Sequence, residues 1–287
     1  MHTPNLSTSL EDQTILITGA TNGIGLITAR ELAAMGAQVV IVGRDPSRAA
    51  ETVKSMRDIT GNPRVDALVG DLSNQADVRR IAGEFRQRYD RLNVLINNAG
   101  GVFYRHRLSA EGYDMTLAVN HLSYFMLTNL LLDMIKESAP ARIINVSSAA
   151  HWVARINPDK FTNNFKIGGW WAYSQTKLMN ILFTYELARR LDGTVSANCL
   201  HPGVVATHLG RSTDGIFRQA WDLWERMGPA PERGAQTSIY LASSPDVHGV
   251  TGKYFVNCKP QRSSPESYNE DTARRLWDAS REMTGVG

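Results

Sequence analysis

The stretch Thr18-Gly19-Ala20-Thr21-Asn22-Gly23-Ile24-Gly25 lies between a predicted strand, 14–18, and a predicted helix, 24–35. Three glycines in this context allow a tight turn, a close approach of backbone to a pyrophosphate and close packing of helix on strand, while the helix N-terminus supplies N–H donors. The alternative is a tight turn without a ligand. We expect a dinucleotide to bind here, and the residues that would contact it are Gly19, Thr21, Asn22, Gly23, Ile24 and Gly25.

Short β-branched segments alternate with helical patterns along most of the chain. The further predicted strands are 39–42, 65–69, 94–97, 143–146 and 195–200, and the further predicted helices are 47–59, 76–89, 112–137 and 172–191. Strands that are apolar on both faces and separated by helices indicate a parallel sheet covered on each side. We therefore expect an α/β fold: a single doubly wound Rossmann domain over residues 1–287, with a seven-stranded parallel sheet flanked by helices and residues 1–12 as an N-terminal tail.

Composition narrows the class of protein. The chain has 287 residues, 43% of them hydrophobic, and a net charge of +3, which suits one domain. Because it has no long basic run, we expect no nucleic-acid partner.

The chain has only two cysteines, Cys199 and Cys258, which favours a reducing compartment. Residues 1–12 lack a signal-peptide pattern and no run reaches about 18 apolar residues, so we expect a cytoplasmic protein without an integral membrane segment. The histidines show no ligand spacing, so no metal is expected.

The second predicted strand ends at Gly43-Arg44-Asp45-Pro46, which should lie near the adenosine ribose of the dinucleotide. An acidic residue at this place binds the 2′-hydroxyl of NAD, and Asp45 is one candidate. Asp followed by Pro is also a good N-cap and first helical residue, so we assign Asp45 that structural role. Arg44 then presents a guanidinium suited to a 2′-phosphate, aided by Arg48 one turn further on. We predict NADP(H) as the cofactor.

Polar residues also follow the third and fourth predicted strands. Asp71, next to Leu72, could accept a hydrogen bond from the adenine amino group or cap the helix that begins near Asn74, and both roles stay open. The stretch Asn97-Asn98-Ala99-Gly100-Gly101 predicts a small polar turn where a ring could lie against backbone. Asn120 lies inside a long apolar helix, and a buried amide there needs a hydrogen-bond partner.

Tyr173 and Lys177 are four residues apart in a predicted helix, so their side chains project from the same face. A lysine ammonium near a phenol favours the phenolate, and we expect it to lower the tyrosine pKa from about 10. The pair is a candidate proton donor and acceptor. The alternative is a solvated helix face.

Taken together, these motifs, with Ser147-Ser148 after a strand and Pro202-Gly203 after the next, resemble the short-chain dehydrogenase/reductase family over nearly the entire chain. Within it, the sequence looks most like the retinol dehydrogenase-like group. The stretches that carry this resemblance are Gly43-Arg44-Asp45, Val119-Asn120-His121-Leu122, 142–151, 201–207 and 273–278. Membrane-bound members of that group begin with an apolar anchor, a pattern that residues 1–12 do not show.

The resemblance implies four catalytic residues. Tyr173 would pass a proton to or from the substrate oxygen as hydride moves to or from the nicotinamide, and Lys177 would keep its phenolate accessible and bind the nicotinamide ribose. Ser148 would donate a hydrogen bond to the substrate oxygen, and Asn120 would hold a water next to Lys177. The remaining residues implied in cofactor binding are Asp71, Leu72, Asn98, Ala99, Gly100, Pro202, Gly203, Val205 and Thr207.

The substrate side of the site is expected to be apolar. The candidate lining residues on either side of the catalytic serine and tyrosine are His151, Trp152, Trp170 and Trp171, with core packing as the alternative. A predicted helix at 212–227, inside a lid region at 208–230, carries Phe217 and Trp221 on a wide apolar band. A subunit contact or a peripheral membrane contact is an equal alternative for that helix.

These observations predict an NADP(H)-dependent oxidoreductase that interconverts an alcohol with a ketone or aldehyde on an apolar small molecule. Two other functions stay open: a regulatory or scaffolding protein that binds NADP(H) without turnover, and a reductase of carbon–carbon double bonds. A homodimer or homotetramer is possible through the helices at 112–137 and 172–191.

Overall fold

One sheet of eight strands forms the centre of the computed structural model, which describes residues 6, 9–157, 169–203 and 231–287. The strands are β1 (Thr14–Thr18), β2 (Gln38–Gly43), β3 (Val65–Val69), β4 (Val94–Asn97), β5 (Ala141–Val146), β6 (Val195–His201), β7 (Tyr254–Val256) and β8 (Lys259–Gln261). Their order is β3-β2-β1-β4-β5-β6-β7-β8, and all neighbours are parallel except β7 and β8. The predicted doubly wound α/β fold is confirmed.

The eighth strand corrects the predicted count of seven. β8 pairs antiparallel with β7 across a tight turn at Asn257 and Cys258, whose φ angles are 50° and 60°. A three-residue strand that contains Pro260 has neither the length nor the alternation by which a strand is predicted.

The described helices are α1 (Gly23–Ala34), α2 (Pro46–Thr60), α3 (Gln75–Arg88), α4 (Met115–Glu137), α5 (Trp170–Arg190), α6 (Pro231–Ser243) and α7 (Glu270–Thr284). α1, α2 and α6 contribute to the apolar core on one face of the sheet, and α3, α4 and α5 to the core on the other. α7 packs on the outside of α5. Both faces of the sheet are therefore covered, as the apolar strands require.

Helix α4 is interrupted by a π-helical turn, Ala118–Leu122, which contains Asn120. Such turns are frequent at functional sites. By length and composition α4 could span a membrane, but 72% of its most apolar window is buried inside the fold. Packing in the core explains its apolar side chains.

The strand order reverses direction between β1 and β4, which lie side by side although two strands separate them in the chain. In open α/β sheets the carboxyl ends of strands at such a point form a crevice that binds ligands. The glycine-containing turn follows β1 and the Asn97–Gly101 turn begins at the end of β4, so the topology brings these two predicted motifs together.

Candidate active site

The turn after β1 is held against the turn after β4. The Thr18 hydroxyl accepts hydrogen bonds from the backbone N–H groups of Asn98 (2.9 Å) and Ala99 (3.0 Å). Asn98 in turn donates to the carbonyl oxygens of Thr18 (2.9 Å) and Gly19 (3.1 Å). This close contact leaves no space for side chains, since a Cβ added to Gly25 would lie 2.5 Å from both the Asn98 amide nitrogen and the Gly19 oxygen.

We expect Gly25→Ala to destabilise the protein by about 1–3 kcal/mol, the usual cost of overpacking, because the new methyl group would collide with backbone. Gly83→Ala is the matched control: it lies in α3 with no atom within 4 Å of the added Cβ. Better helix propensity should make that variant more stable by about 0.5–1 kcal/mol. Urea unfolding measures both. Equal stability of the Gly25→Ala variant and the parent protein would contradict the close contact.

A cleft of about 450 Å³ runs along the carboxyl ends of the strands. Arg44 and Arg48 line its outer end, and Tyr173 and Lys177 line it further in. The other predicted cofactor residues that line the cleft are Gly19, Thr21, Asn22, Gly23, Ile24, Gly25, Asp71, Leu72, Asn98, Ala99, Gly100 and Pro202. Gly203 is half-buried beside it and does not line it. The predicted contacts of Val205 and Thr207 lie outside the described residues.

Asp45 and Asp71, the two acidic residues considered for cofactor binding, differ in role. Asp45 caps α2, as predicted: its carboxylate accepts from the Arg48 backbone N–H at 2.9 Å, and Pro46 is the first helical residue. The capping role proposed for Asp71 is wrong, because Asn74 caps α3 by accepting from the N–H groups of Ala76 and Asp77. Asp71 instead accepts from the backbone and hydroxyl of Ser73 while it lines the cleft.

Tyr173 and Lys177 project from α5 and are buried, with 5% and 3% of their surface exposed. The Lys177 ammonium lies 5.5 Å from the centre of the Tyr173 ring and donates to the Val146 carbonyl at 3.0 Å. Burial raises the pKa of Tyr173 to about 12, opposed by a hydrogen bond with Ser148, and burial lowers the pKa of Lys177 to about 7. The expected lowering of the tyrosine pKa is therefore wrong in direction, because desolvation disfavours both charged forms.

The two adjacent serines at the end of β5 face different ways. Ser147 is buried and donates to the Lys177 carbonyl at 2.7 Å, which fixes β5 against α5. Ser148 is half-buried, and its hydroxyl accepts from the Ala150 N–H at 3.2 Å. The contact of Ser148 with Tyr173 brings together a hydroxyl and a phenol that are distant in the chain.

Asn120 is fully buried, and the partner it was predicted to need is present. Its amide oxygen accepts from the Gly101 N–H at 2.9 Å, and its amide nitrogen donates to the Gly101 carbonyl (3.0 Å) and the Thr176 hydroxyl (3.1 Å). A Cβ on Gly100 would lie 3.1 Å from the Asn120 oxygen and 3.3 Å from the Lys177 nitrogen. The Asn120 oxygen and the Lys177 nitrogen therefore both lie beside Gly100, which has no side chain to separate them.

The predicted aromatic lining is not found among the described residues of the cleft. Trp152, Trp170 and Trp171 are all about half exposed and do not line it, although the Trp170 ring packs on the Tyr173 ring with centroids 5.5 Å apart. His151 is fully buried behind Ser148 and does not line the cleft. Phe217, Trp221, the 212–227 helix and the 208–230 lid lie outside the described residues.

Sequence reasoning missed several apolar residues that line the cleft. Among them are Val102 and Phe103, and Val102 packs on Tyr173. Both residues directly follow the Asn97–Gly101 turn, and this position could have indicated that they lie at the cleft.

Comparison with known proteins agrees with this geometry. The model of the family described as short chain dehydrogenase matches residues 13–215. Retinol dehydrogenase 14 of Mus musculus is 43% identical over 96% of this chain and 87% of the relative. Among solved structures, an uncharacterized protein from Mycobacterium Paratuberculosis superposes with a TM-score of 0.77 at 31% identity, covering 97% of this chain and 95% of that one. The Pseudomonas aeruginosa RhlG/NADP active-site complex has a TM-score of 0.69 at 28% identity, covering 89% and 97%. The chain belongs to the short-chain dehydrogenase family.

Proposed function

We propose that this protein is an NADP(H)-dependent oxidoreductase that interconverts an alcohol with a ketone or aldehyde on a largely apolar small molecule. The observation that carries the proposal is a single cleft with two arginines at its outer end and the buried Tyr173–Lys177 pair further in, next to Ser148 and Asn120. The glycine turn at the start of α1 lines this cleft, which supports a dinucleotide because the pyrophosphate must approach backbone there.

NADP(H), when bound, supplies or accepts the hydride. In the reducing direction the Tyr173 hydroxyl donates its proton to the carbonyl oxygen of the substrate, and the Ser148 hydroxyl donates a hydrogen bond to the same oxygen. The Lys177 ammonium stabilises the phenolate that Tyr173 leaves. Burial of both residues keeps water away from the transfer and strengthens these interactions.

The apolar character of the substrate is supported by Val102 and Phe103, which line the cleft. The name of the mouse relative, a retinol dehydrogenase, agrees with an apolar alcohol. The direct test is consumption of NADPH with a panel of apolar aldehydes and ketones. Binding of NADPH without consumption in every case would contradict the proposal and favour a protein that binds the cofactor without turnover.

The choice of NADP(H) over NAD(H) rests on Arg44, which is exposed and lines the cleft next to the end of β2. The likeness to the RhlG/NADP complex supports the same choice. We expect Arg44→Ala to weaken NADPH binding about tenfold or more, because a hydrogen bond to a charged group contributes about 1.5–3 kcal/mol. NADH binding should change little, since NADH has no 2′-phosphate.

Both dissociation constants can be measured by the fluorescence of the reduced cofactors. Arg91→Ala is the matched control, because Arg91 is exposed but does not line the cleft. An equal loss of NADPH and NADH affinity in Arg44→Ala would exclude the 2′-phosphate as the partner of Arg44.

A further inference from the structure

Two fully buried histidines, His121 and His151, lie behind the catalytic residues, and neither lines the cleft. Burial lowers the pKa of His121 to about 4 and also lowers the pKa of His151. Both rings are therefore neutral near physiological pH. A neutral imidazole has one nitrogen that donates and one that accepts, so each ring can join two partners of opposite kind.

The orientation of the His121 ring follows from Asn180 in α5. The Asn180 amide nitrogen donates to the Asn120 carbonyl at 2.9 Å and, less closely, to the Val146 carbonyl at 3.4 Å. Its oxygen must then face His121 Nδ1, 3.2 Å away, so Nδ1 carries the proton. His121 Nε2 is left to accept from the Ser280 hydroxyl at 2.9 Å.

This chain of contacts ends at the catalytic residues. The Asn120 carbonyl that Asn180 holds belongs to the residue beside Lys177, and the Val146 carbonyl near Asn180 is the one to which Lys177 donates. Asn180 thus bridges the π-helical turn of α4 and the end of β5 directly beneath the ammonium. His121 Nδ1 donates to the Asn180 oxygen and so holds the same amide from the side opposite these carbonyls.

His151 repeats the arrangement at the catalytic serine. The Ser264 backbone N–H can only donate, and it lies 3.1 Å from His151 Nε2, so that nitrogen is the acceptor. The proton is then on Nδ1, which donates to the Ser148 carbonyl at 2.7 Å. In both histidines Nε2 accepts from the C-terminal part of the chain, and Nδ1 donates toward a catalytic residue.

We propose that His121 and His151 are positioning residues through which the C-terminal segment 263–284 holds Asn120, Lys177 and Ser148 in place. The segment contributes no residue to the cleft among the described lining residues. Its Ser264 and Ser280 act at a distance, each through one neutral imidazole. The inference rests on the proposed function, because the positioned groups are those assigned to hydride transfer.

Replacing each histidine once by asparagine and once by glutamine distinguishes a positioning role from a purely structural role. Asparagine places an amide where Nδ1 was and can keep the bond toward the catalytic residue, whereas glutamine places it where Nε2 was and keeps only the bond to the C-terminal segment. We expect His121→Gln to slow single-turnover hydride transfer from NADPH about tenfold or more, since small misplacements near reacting groups are costly. The rate of hydride transfer in His121→Asn should be at least about fivefold higher than in His121→Gln. We expect the same order of rates for His151→Asn and His151→Gln.

Thermal unfolding and the NADPH dissociation constant are measured on the same variants, with His248→Gln, at an exposed position, as the control. The expected result is a rate difference between the glutamine and asparagine variants despite similar melting temperatures and NADPH affinity. Equal rates, or rates that follow the melting temperatures, would overturn the proposal.

NMR of the isotope-labelled wild-type protein tests the tautomers without turnover, and protons on Nε2 would also overturn the proposal. If the wild-type protein transfers no hydride at all, the proposed function fails, and that outcome is distinct from equal rates in the two variants.

Discussion

Tyr173→Phe should lower kcat about 10³-fold or more, because general acid–base catalysis by a positioned side chain contributes about 10²–10⁴-fold and the hydroxyl is the proposed proton donor. The phenyl ring still fills the space beside Val102 and Trp170, so the cleft keeps its shape. NADPH affinity should therefore stay close to that of the parent protein. Steady-state reduction of an apolar carbonyl and cofactor fluorescence give the two quantities.

Tyr185→Phe is a matched control on the same helix. Tyr185 is 7% exposed, against 5% for Tyr173, and its hydroxyl is bonded to Ser263 at 2.8 Å, away from the cleft. Loss of that bond should cost about 1 kcal/mol of stability with little change in kcat. If Tyr173→Phe retained near-normal turnover, the proton donor would have to be another group and the proposed mechanism would be abandoned.

The parts of this molecule that follow from local pattern could be predicted from the sequence. β1–β6 have apolar, β-branched runs, and α2 begins at the predicted Asp45-Pro46 cap, because neighbouring residues decide these features. β8 was missed since its only support is pairing with β7. Capping of α3 was one of two roles open for Asp71, and the structure gives it to Asn74, which directly precedes the helix.

The candidate catalytic residues could be named from the resemblance, but the environment of their side chains could not be predicted. The partners of Asn120 are Gly101 and Thr176, which only the fold brings to it. The direction of the Tyr173 pKa shift depends on burial, a property of the folded chain that a four-residue spacing does not contain. For the same reason no motif indicated that His121 would join Asn180 to Ser280.

Lys177→Met should lower kcat about 10²-fold, at the lower end of the usual range for acid–base catalysis, because the ammonium proposed to stabilise the Tyr173 phenolate is then removed. Methionine has a similar length and no charge, so the buried space stays filled. The rings of Tyr173 and Tyr124 face the ammonium at 5.5 and 5.7 Å, and Asn120 meets it at Gly100. The lost interaction is therefore mainly electrostatic.

The pH dependence of the reaction distinguishes an electrostatic role of Lys177 from a packing role. Burial lowers the pKa of Lys177 to about 7, so the ammonium is present below that pH and is lost above it. Carbonyl reduction should accordingly slow as pH rises through about 7, while Tyr173, with a pKa of about 12, keeps its proton. The pH profile of kcat/KM for NADPH reports groups of the free enzyme, and Lys177→Met should remove this midpoint. His201, whose pKa burial lowers to about 4, titrates too low to replace it. A midpoint near 7 that persisted in Lys177→Met would therefore show that the controlling charge is not on Lys177.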